Sequence, residues 1–394
     1  MSLLPDLAGS RVALVGLIGG LLDDEDIAER HARALWSGIC EPGDGDAGSL
    51  VDACGAANAL ALVARDDARA VAAVEGLDRR RADDALARWR PRLAPAALDA
   101  GLDAARRTGA RLVVPGDATW PSRLDDLGRH RPLCLWVRGA LPERPGPTVA
   151  IVGARAATSY GEHVAMEIAA DLAGAGIRVV SGAAYGIDGA AHRAALSAGG
   201  VTDALLAGGV DRAYPSGHAD LLSRITRTGA VMSEVMCGSA PTKWRFLSRN
   251  RLIAALSDAT VVVEAGWRSG SLNTAAHAAS LGRSLGAVPG PVTSPTSAGC
   301  HRLLREFDAR CITGAGDVRE MLGLDDELLP GADDWVDQAT ALRDALSARS
   351  WRRVDDVAQR CGQSLADVER GLGLMLLDGR VQHGPAGWRL VVGR

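Results

Sequence analysis

At 394 residues, with a formal charge of −4, 47% hydrophobic and 23% charged residues, the chain has the balance of a soluble globular protein with room for two or three domains. That charge excludes binding to nucleic acid through a general polybasic coat, so any polyanion site has to be a local patch. The seven cysteines are scattered and never in C-x-x-C spacing, which argues against a zinc site or a disulfide framework and for a reducing compartment.

In chain order, the apolar run VALVGLIGGLL (12–22) follows Arg11 and has the length of a signal-peptide core. It runs into DDED without a small-residue cleavage site and is too short to span a bilayer, so it reads as a buried N-terminal element of a cytoplasmic protein with no membrane partner. The stretches 24–36 and 83–109 carry apolar residues at helical spacing, and EPGDGDAGS (41–49) between them reads as a loop. Residues 1–110 are thus expected to form a helical domain.

After the turn-rich LPERPGP (141–147) a strand-then-helix order sets in. Apolar runs at 148–153, 177–182, 201–209, 230–234, 259–265 and 284–290 alternate with helical stretches at 163–176, 188–200, 221–229 and 273–282. Strands this apolar, separated by helices, imply a parallel sheet covered on both faces, a doubly wound Rossmann-like domain over residues 111–325. DDELLPGADD (325–334) then closes it. Residues 335–394 read as three helices and a hairpin, the order of a winged-helix module that binds either DNA or protein.

Three small-residue loops fall at strand C-termini, where a parallel sheet places its ligand crevice. The first, Gly153 to Gly161, offers a helix N-terminus and Arg155 to a phosphate, or is a tight turn that binds nothing. It lacks G-x-G-x-x-G, so no dinucleotide cofactor is expected. The second, Ser181 to Asp188, places Asp188 as a helix N-cap and His192 one turn on, read as a structural pair. The third is Glu264 to Thr274. Between them, PTKWRFLSRNR (241–251) holds the only lysine of the chain, Lys243, and one of its two phenylalanines, Phe246. Cations at a helix start oppose the helix dipole and are better explained by a polyanion, with Phe246 as a platform for an unpaired base. The alternative leaves Phe246 in the core and the cations solvated.

Taken in order, VGARAATSYG, SGAAYGIDGAAH, YPSGH, SE, FLSRNRLIA, VVVEAGWRSGSLNTA and AVPG resemble the DNA-processing protein A family, also called DprA or Smf, closely over about residues 111–320. The N-terminal segment would then be a SAM-like helical domain. The resemblance implies a cytoplasmic, non-enzymatic, single-stranded DNA-binding protein of natural transformation. Such a protein shields incoming strands and helps load the recombinase RecA, as a homodimer without metal or cofactor. It implies a DNA pocket of Arg155, Lys243, Phe246, Arg249 and Asn250, lined also by Gly153, Ser159, Gly182, Gly270 and Ser271. The sequence departs from the family pattern at Leu247, where a proline is usual, and at Gly299-Cys300-His301 and Phe307-Asp308-Ala309.

Two further readings compete. A nucleotide-binding or nucleotide-hydrolysing enzyme on the same sheet would need a poised carboxylate, for which Glu264, Glu234 and Asp188 are the candidates. A scaffold would use its winged helix to dock a protein partner.

Overall fold

The computed structural model describes residues 24–144, 146–324, 340–377 and 379–391. The apolar run 12–22 and the stretch 325–334 lie outside them. The chain divides at Gly323 into two compact units.

The larger unit opens with the helices α1 (Asp24–Ile39), α2 (Gly45–Cys54), α3 (Ala56–Arg65), α4 (Ala68–Val71), α5 (Arg79–Trp89) and α6 (Pro95–Arg107). The segment 41–49, expected to be a loop, turns into α2 at Gly45. Asp44 caps that helix, its carboxylate accepting from the N–H groups of Asp46 and Ala47. Gly48 sits where the helix presses on the Arg129 carbonyl, with no room for a Cβ.

A nine-stranded sheet follows, in the order β1-β2-β6-β5-β4-β3-β7-β8-β9. Its strands are β1 (Arg111–Val113), β2 (Leu135–Gly139), β3 (Thr148–Val152), β4 (Arg178–Ser181), β5 (Thr202–Leu205), β6 (Ala230–Ser233), β7 (Ala259–Val262), β8 (Ser284–Ala287) and β9 (Arg310–Cys311). The six predicted runs are β3 to β8, all mutually parallel where they pair. The short β1 and β2 extend one edge as antiparallel strands, and β9 adds a parallel strand at the other. The connecting helices are α7 (Ser159–Gly174), α8 (Ile187–Ser197), α9 (Ala219–Thr228), α10 (Lys243–Leu256), α11 (Ser271–Ser280), α12 (Ala298–Glu306) and α13 (Ala315–Met321).

Alternation along the strands feeds two cores. Leu135, Val137, Leu205 and Met232 meet Leu252, Ile253 and Leu256 of α10 on one face. Trp136, Ala204 and Val231 point the other way, into a core shared with Trp36, Leu50, Trp89 and Leu102 of the N-terminal helices. Trp36 and Trp89 pack edge to face at 5.1 Å, and the Trp136 indole N–H donates to Ser37 Oγ at 3.0 Å. The N-terminal helices therefore form one side of the sheet's own interior, and they reach α10 through Glu41 and Gly43.

The chain runs from β3 outward through β4 and β5 to β6, then returns beside β3 as β7. That reversal is the topological switch point, where the loops after β3 and β7 part and leave a crevice between them.

In the second unit, residues 340–345 are helical, followed by α14 (Val354–Cys361), α15 (Leu365–Leu377) and an antiparallel hairpin of β10 (Val381–Gly384) and β11 (Gly387–Leu390). Its own small core gathers Leu342, Leu346, Val357, Val368, Leu372 and Val381. Across the described residues no single helix is long and apolar enough to cross a membrane, and all seven cysteines are unpaired.

Candidate nucleic-acid interface

The crevice at the switch point encloses about 300 Å³ and is lined by Gly153 and Arg155 after β3, by Ala184 and Asp188 after β4, by one face of α10, and by Ser269, Gly270, Ser271 and Thr274 at the start of α11. Helix α10 supplies Phe246, Leu247, Arg249, Asn250 and Ile253. Thr242 caps this helix through a bond from the Arg245 N–H, at 3.2 Å. From Arg249 to Leu256 the helix is buried, while its first turn is open to solvent. Lys243 therefore stands exposed at the rim, one turn ahead of Phe246 and Leu247 on the same face.

The half-buried Phe246 ring is ringed by cations. The Arg155 guanidinium lies 4.6 Å from its centroid and that of Arg249 at 5.9 Å, with Tyr214 tilted against it at 5.4 Å. Tyr214 belongs to the YPSGH stretch, to which the residues alone assigned no role.

Arg249 is 6% exposed, and its Nη1 donates to the carbonyls of Gly182 (2.7 Å) and Leu205, tying the ends of β4 and β5 together. Burial lowers its pKa to about 10, with Asp188 opposing and Arg155 adding to the shift, so the guanidinium stays charged at neutral pH. Gly182 is glycine because a Cβ there would sit 2.5 Å from Arg249 Cζ and Nη2. A Cβ on Gly153 would lie 2.6 Å from Ile187 Cγ1 and 2.9 Å from the Glu264 carbonyl. Asn250 Nδ2 donates to the Gly270 carbonyl at 3.2 Å and so holds the β7–α11 loop against α10.

The structure brings Gly153, Arg155, Phe246, Arg249, Asn250, Gly270 and Ser271 together in one lining, with Lys243 at its edge and Gly182 behind Arg249. Ser159 is outside it. The start of α7, read as either a phosphate site or a turn that binds nothing, has the chain's own anion against it, with Glu264 Oε2 at the place a Cβ on Gly161 would take. The buried Glu264 carboxylate accepts from the Thr158 N–H (2.9 Å), Thr158 Oγ1 (2.7 Å) and Thr296 Oγ1 (3.1 Å). Two cations of the α10 stretch are neutralised in the same way: Arg245 by Glu41 at 2.9 and 3.0 Å, and Arg251 by Glu234 at 2.7 and 2.8 Å.

Asp188 differs from its expected capping role. Gly186 precedes α8, and the Asp188 carboxylate instead accepts from the N–H groups of Gly182 and Ala184, at 3.2 and 3.3 Å, folding the β4–α8 loop. Burial raises its pKa, against the pull of Arg249 and those two N–H bonds. His192 is fully buried. Thr202 Oγ1 gives its one proton to the Val179 carbonyl, so His192 Nδ1 must donate to Thr202 Oγ1 at 2.7 Å. Among the described residues no group of three or more His, Cys, Asp or Glu could hold a metal ion.

A parallel sheet whose switch point opens into a crevice of arginines, a phenylalanine and a serine–glycine loop defines a Rossmann-like α/β protein that holds its ligand at the strand C-termini. A family model for DNA recombination-mediator protein A matches residues 111–323, and the chain belongs to that family. It is 45% identical over 310 residues to a Mycobacterium tuberculosis protein named as a DNA processing protein DprA, covering 74% of this chain and 79% of that relative. It is 36% identical over 267 residues to protein Smf of Escherichia coli, covering 65% and 71% respectively. The crystal structure of DNA processing protein A from Streptococcus pneumoniae superposes with a TM-score of 0.60 at 29% identity, over 73% of this chain and 95% of that one.

Proposed function

We propose that this chain is a single-stranded DNA-binding recombination mediator of natural transformation. In this reading, phosphates are held by Lys243, Arg155 and Arg249, and an unpaired base stacks at Phe246, where it replaces or extends the Arg155 stack. The observation that carries the reading is the Arg155–Phe246–Arg249 cluster beside the only lysine. Arg245 and Arg251 have internal carboxylate partners, whereas Lys243 and Arg155 have no ion-pair partner among the described residues. A groove in which the cations outnumber the one lining carboxylate, Asp188, and surround a ring favours a flexible polyanion with flat bases and has little means of reading their sequence.

Membership in a recombination-mediator family supports the wider role: a cytoplasmic homodimer that shields incoming strands and helps load a RecA-type recombinase. The protein is read as a binder without catalysis, because the three candidate carboxylates serve the fold. Glu264 holds Thr158, the cap of α7, Glu234 pairs with Arg251, and Asp188 braces the β4–α8 loop. The C-terminal unit is read as a winged helix that docks DNA or protein.

Titration of a labelled oligothymidine tests the proposal. Wild type should bind with a salt slope of about −2, roughly −0.7 for each of three phosphate contacts. Lys243→Ala/Phe246→Ala should lose at least about tenfold in affinity while staying folded. Equal binding by the double variant would move the DNA site out of the crevice.

A further inference from the structure

Of the tryptophans in the described residues, Trp244 and Trp267 are the two that stand exposed, at 63% and 54%. Trp244 stands on the first turn of α10, two residues before Phe246, and Trp267 two residues before Ser269. Trp267 lies on the β7–α11 loop, whose next residues, Ser269 to Ser271, form the crevice wall. Its indole is supported by Arg302, whose Cζ is 5.3 Å from the ring centroid. Arg302 is itself held by Glu306 at 2.7 Å and by the Phe307 ring at 5.6 Å. This repeats the arrangement at Phe246, an aromatic ring backed by a guanidinium. Arg268, adjacent to Trp267, is exposed and has no ion-pair partner among the described residues.

The Trp267 indole leaves more than half of its surface to solvent. It is the side chain with the largest flat apolar face, and bases stack on such faces without regard to sequence. A cation beside it supplies the phosphate contact that a stacked nucleotide also needs.

We infer that Trp267 is a second base-stacking platform and Arg268 its phosphate contact, so that the nucleic-acid track leaves the crevice across the β7–α11 loop. The inference rests on the proposed single-stranded DNA site and extends it from one pocket to a path. Single-stranded nucleic acid is the occupant that fits, because the platform is continuous with the crevice wall and carries an unpaired positive charge.

Affinity as a function of oligothymidine length tests it, with oligomers of roughly four and roughly twelve nucleotides. Wild type should gain strongly with length. Trp267→Ala should lose on the order of tenfold for the longer oligomer and flatten that gain, and Trp267→Phe should restore most of it. Arg268→Ala should lower the salt slope for the longer oligomer by about 0.7. If Trp267→Ala shows the wild-type length dependence while Lys243→Ala/Phe246→Ala has lost binding, the second platform is refuted and the crevice stands. If wild type binds neither oligomer, both fall.

Discussion

Replacing Gly182 by alanine adds one methyl group and is predicted to disturb the site more than a surface truncation would. Gly182 does not have a positive φ, so the backbone accepts a side chain and the cost is steric. The new Cβ meets the Arg249 guanidinium, which is 6% exposed and bonded to the carbonyls of Gly182 and Leu205. The guanidinium is the far end of a flexible side chain and can swing away, but only by giving up both bonds. Each charge-assisted bond contributes about 1.5–3 kcal/mol, so after partial relaxation the variant should lose roughly 3 kcal/mol. The assay is a double-mutant cycle in urea with Gly182→Ala, Arg249→Met and the pair. With no guanidinium to displace, Gly182→Ala should cost less than about 1 kcal/mol in the Arg249→Met background, a coupling of roughly 2 kcal/mol. The single Gly182→Ala variant should also bind oligothymidine more weakly. Additivity within about 0.5 kcal/mol would mean that Arg249 is not held as described, and the account of Gly182 would be wrong.

Two other expectations concern charge. Burial drives the His192 pKa from 6.5 to about 3, with the positive charges of Arg249 and Arg193 adding to the shift. The unfolded chain therefore binds a proton that the folded chain refuses; stability is full above pH 6.5 and falls as the pH drops toward 3. Between pH 7 and pH 5 this one group should remove about 2 kcal/mol. His192→Asn, which keeps a donor toward Thr202 but cannot titrate, should lose correspondingly less stability in urea melts over that range; identical losses would refute the assignment. Glu41→Gln frees Arg245 at the start of α10. It should steepen the salt slope of oligothymidine binding by about 0.7 and tighten binding at low salt. Weaker binding would instead show that the Glu41–Arg245 pair chiefly positions the helix.

How much was legible in the sequence follows from the range of the interactions. The strands β3 to β8 stood out because each is a short apolar run bounded by glycine or a helix, a signal contained in a few residues. The strand β2, second from the edge, did not: it joins the sheet antiparallel between β1 and β6 and belongs to no strand-then-helix repeat that would mark it in the sequence. The start of α2 hid in a glycine-rich stretch because its tight approach to Arg129 is a tertiary demand. The crevice was legible to the same degree: Arg155, Phe246 and Arg249 sit at strand ends or on the helix beside them, where topology alone brings them together.

What the sequence concealed was which positive groups are already matched. The N-terminus of α7 faces Glu264, more than a hundred residues further on, and Arg245 faces Glu41, about two hundred residues earlier. Arg251 meets Glu234, which also accepts from the Gly43 N–H and so ties α10 to the N-terminal helices. Each pairing neutralises one positive feature, and those of Arg245 and Arg251 anchor α10, which supplies one face of the crevice. Positive charge is left at Arg155, Lys243 and Arg249 in and around the crevice and at Arg268 on the loop beside it. A chain with a net charge of −4 can thus present a narrow cationic groove without a basic surface. The same carboxylates that neutralise α10's other cations, Glu41 and Glu234, also tie that helix to its neighbours.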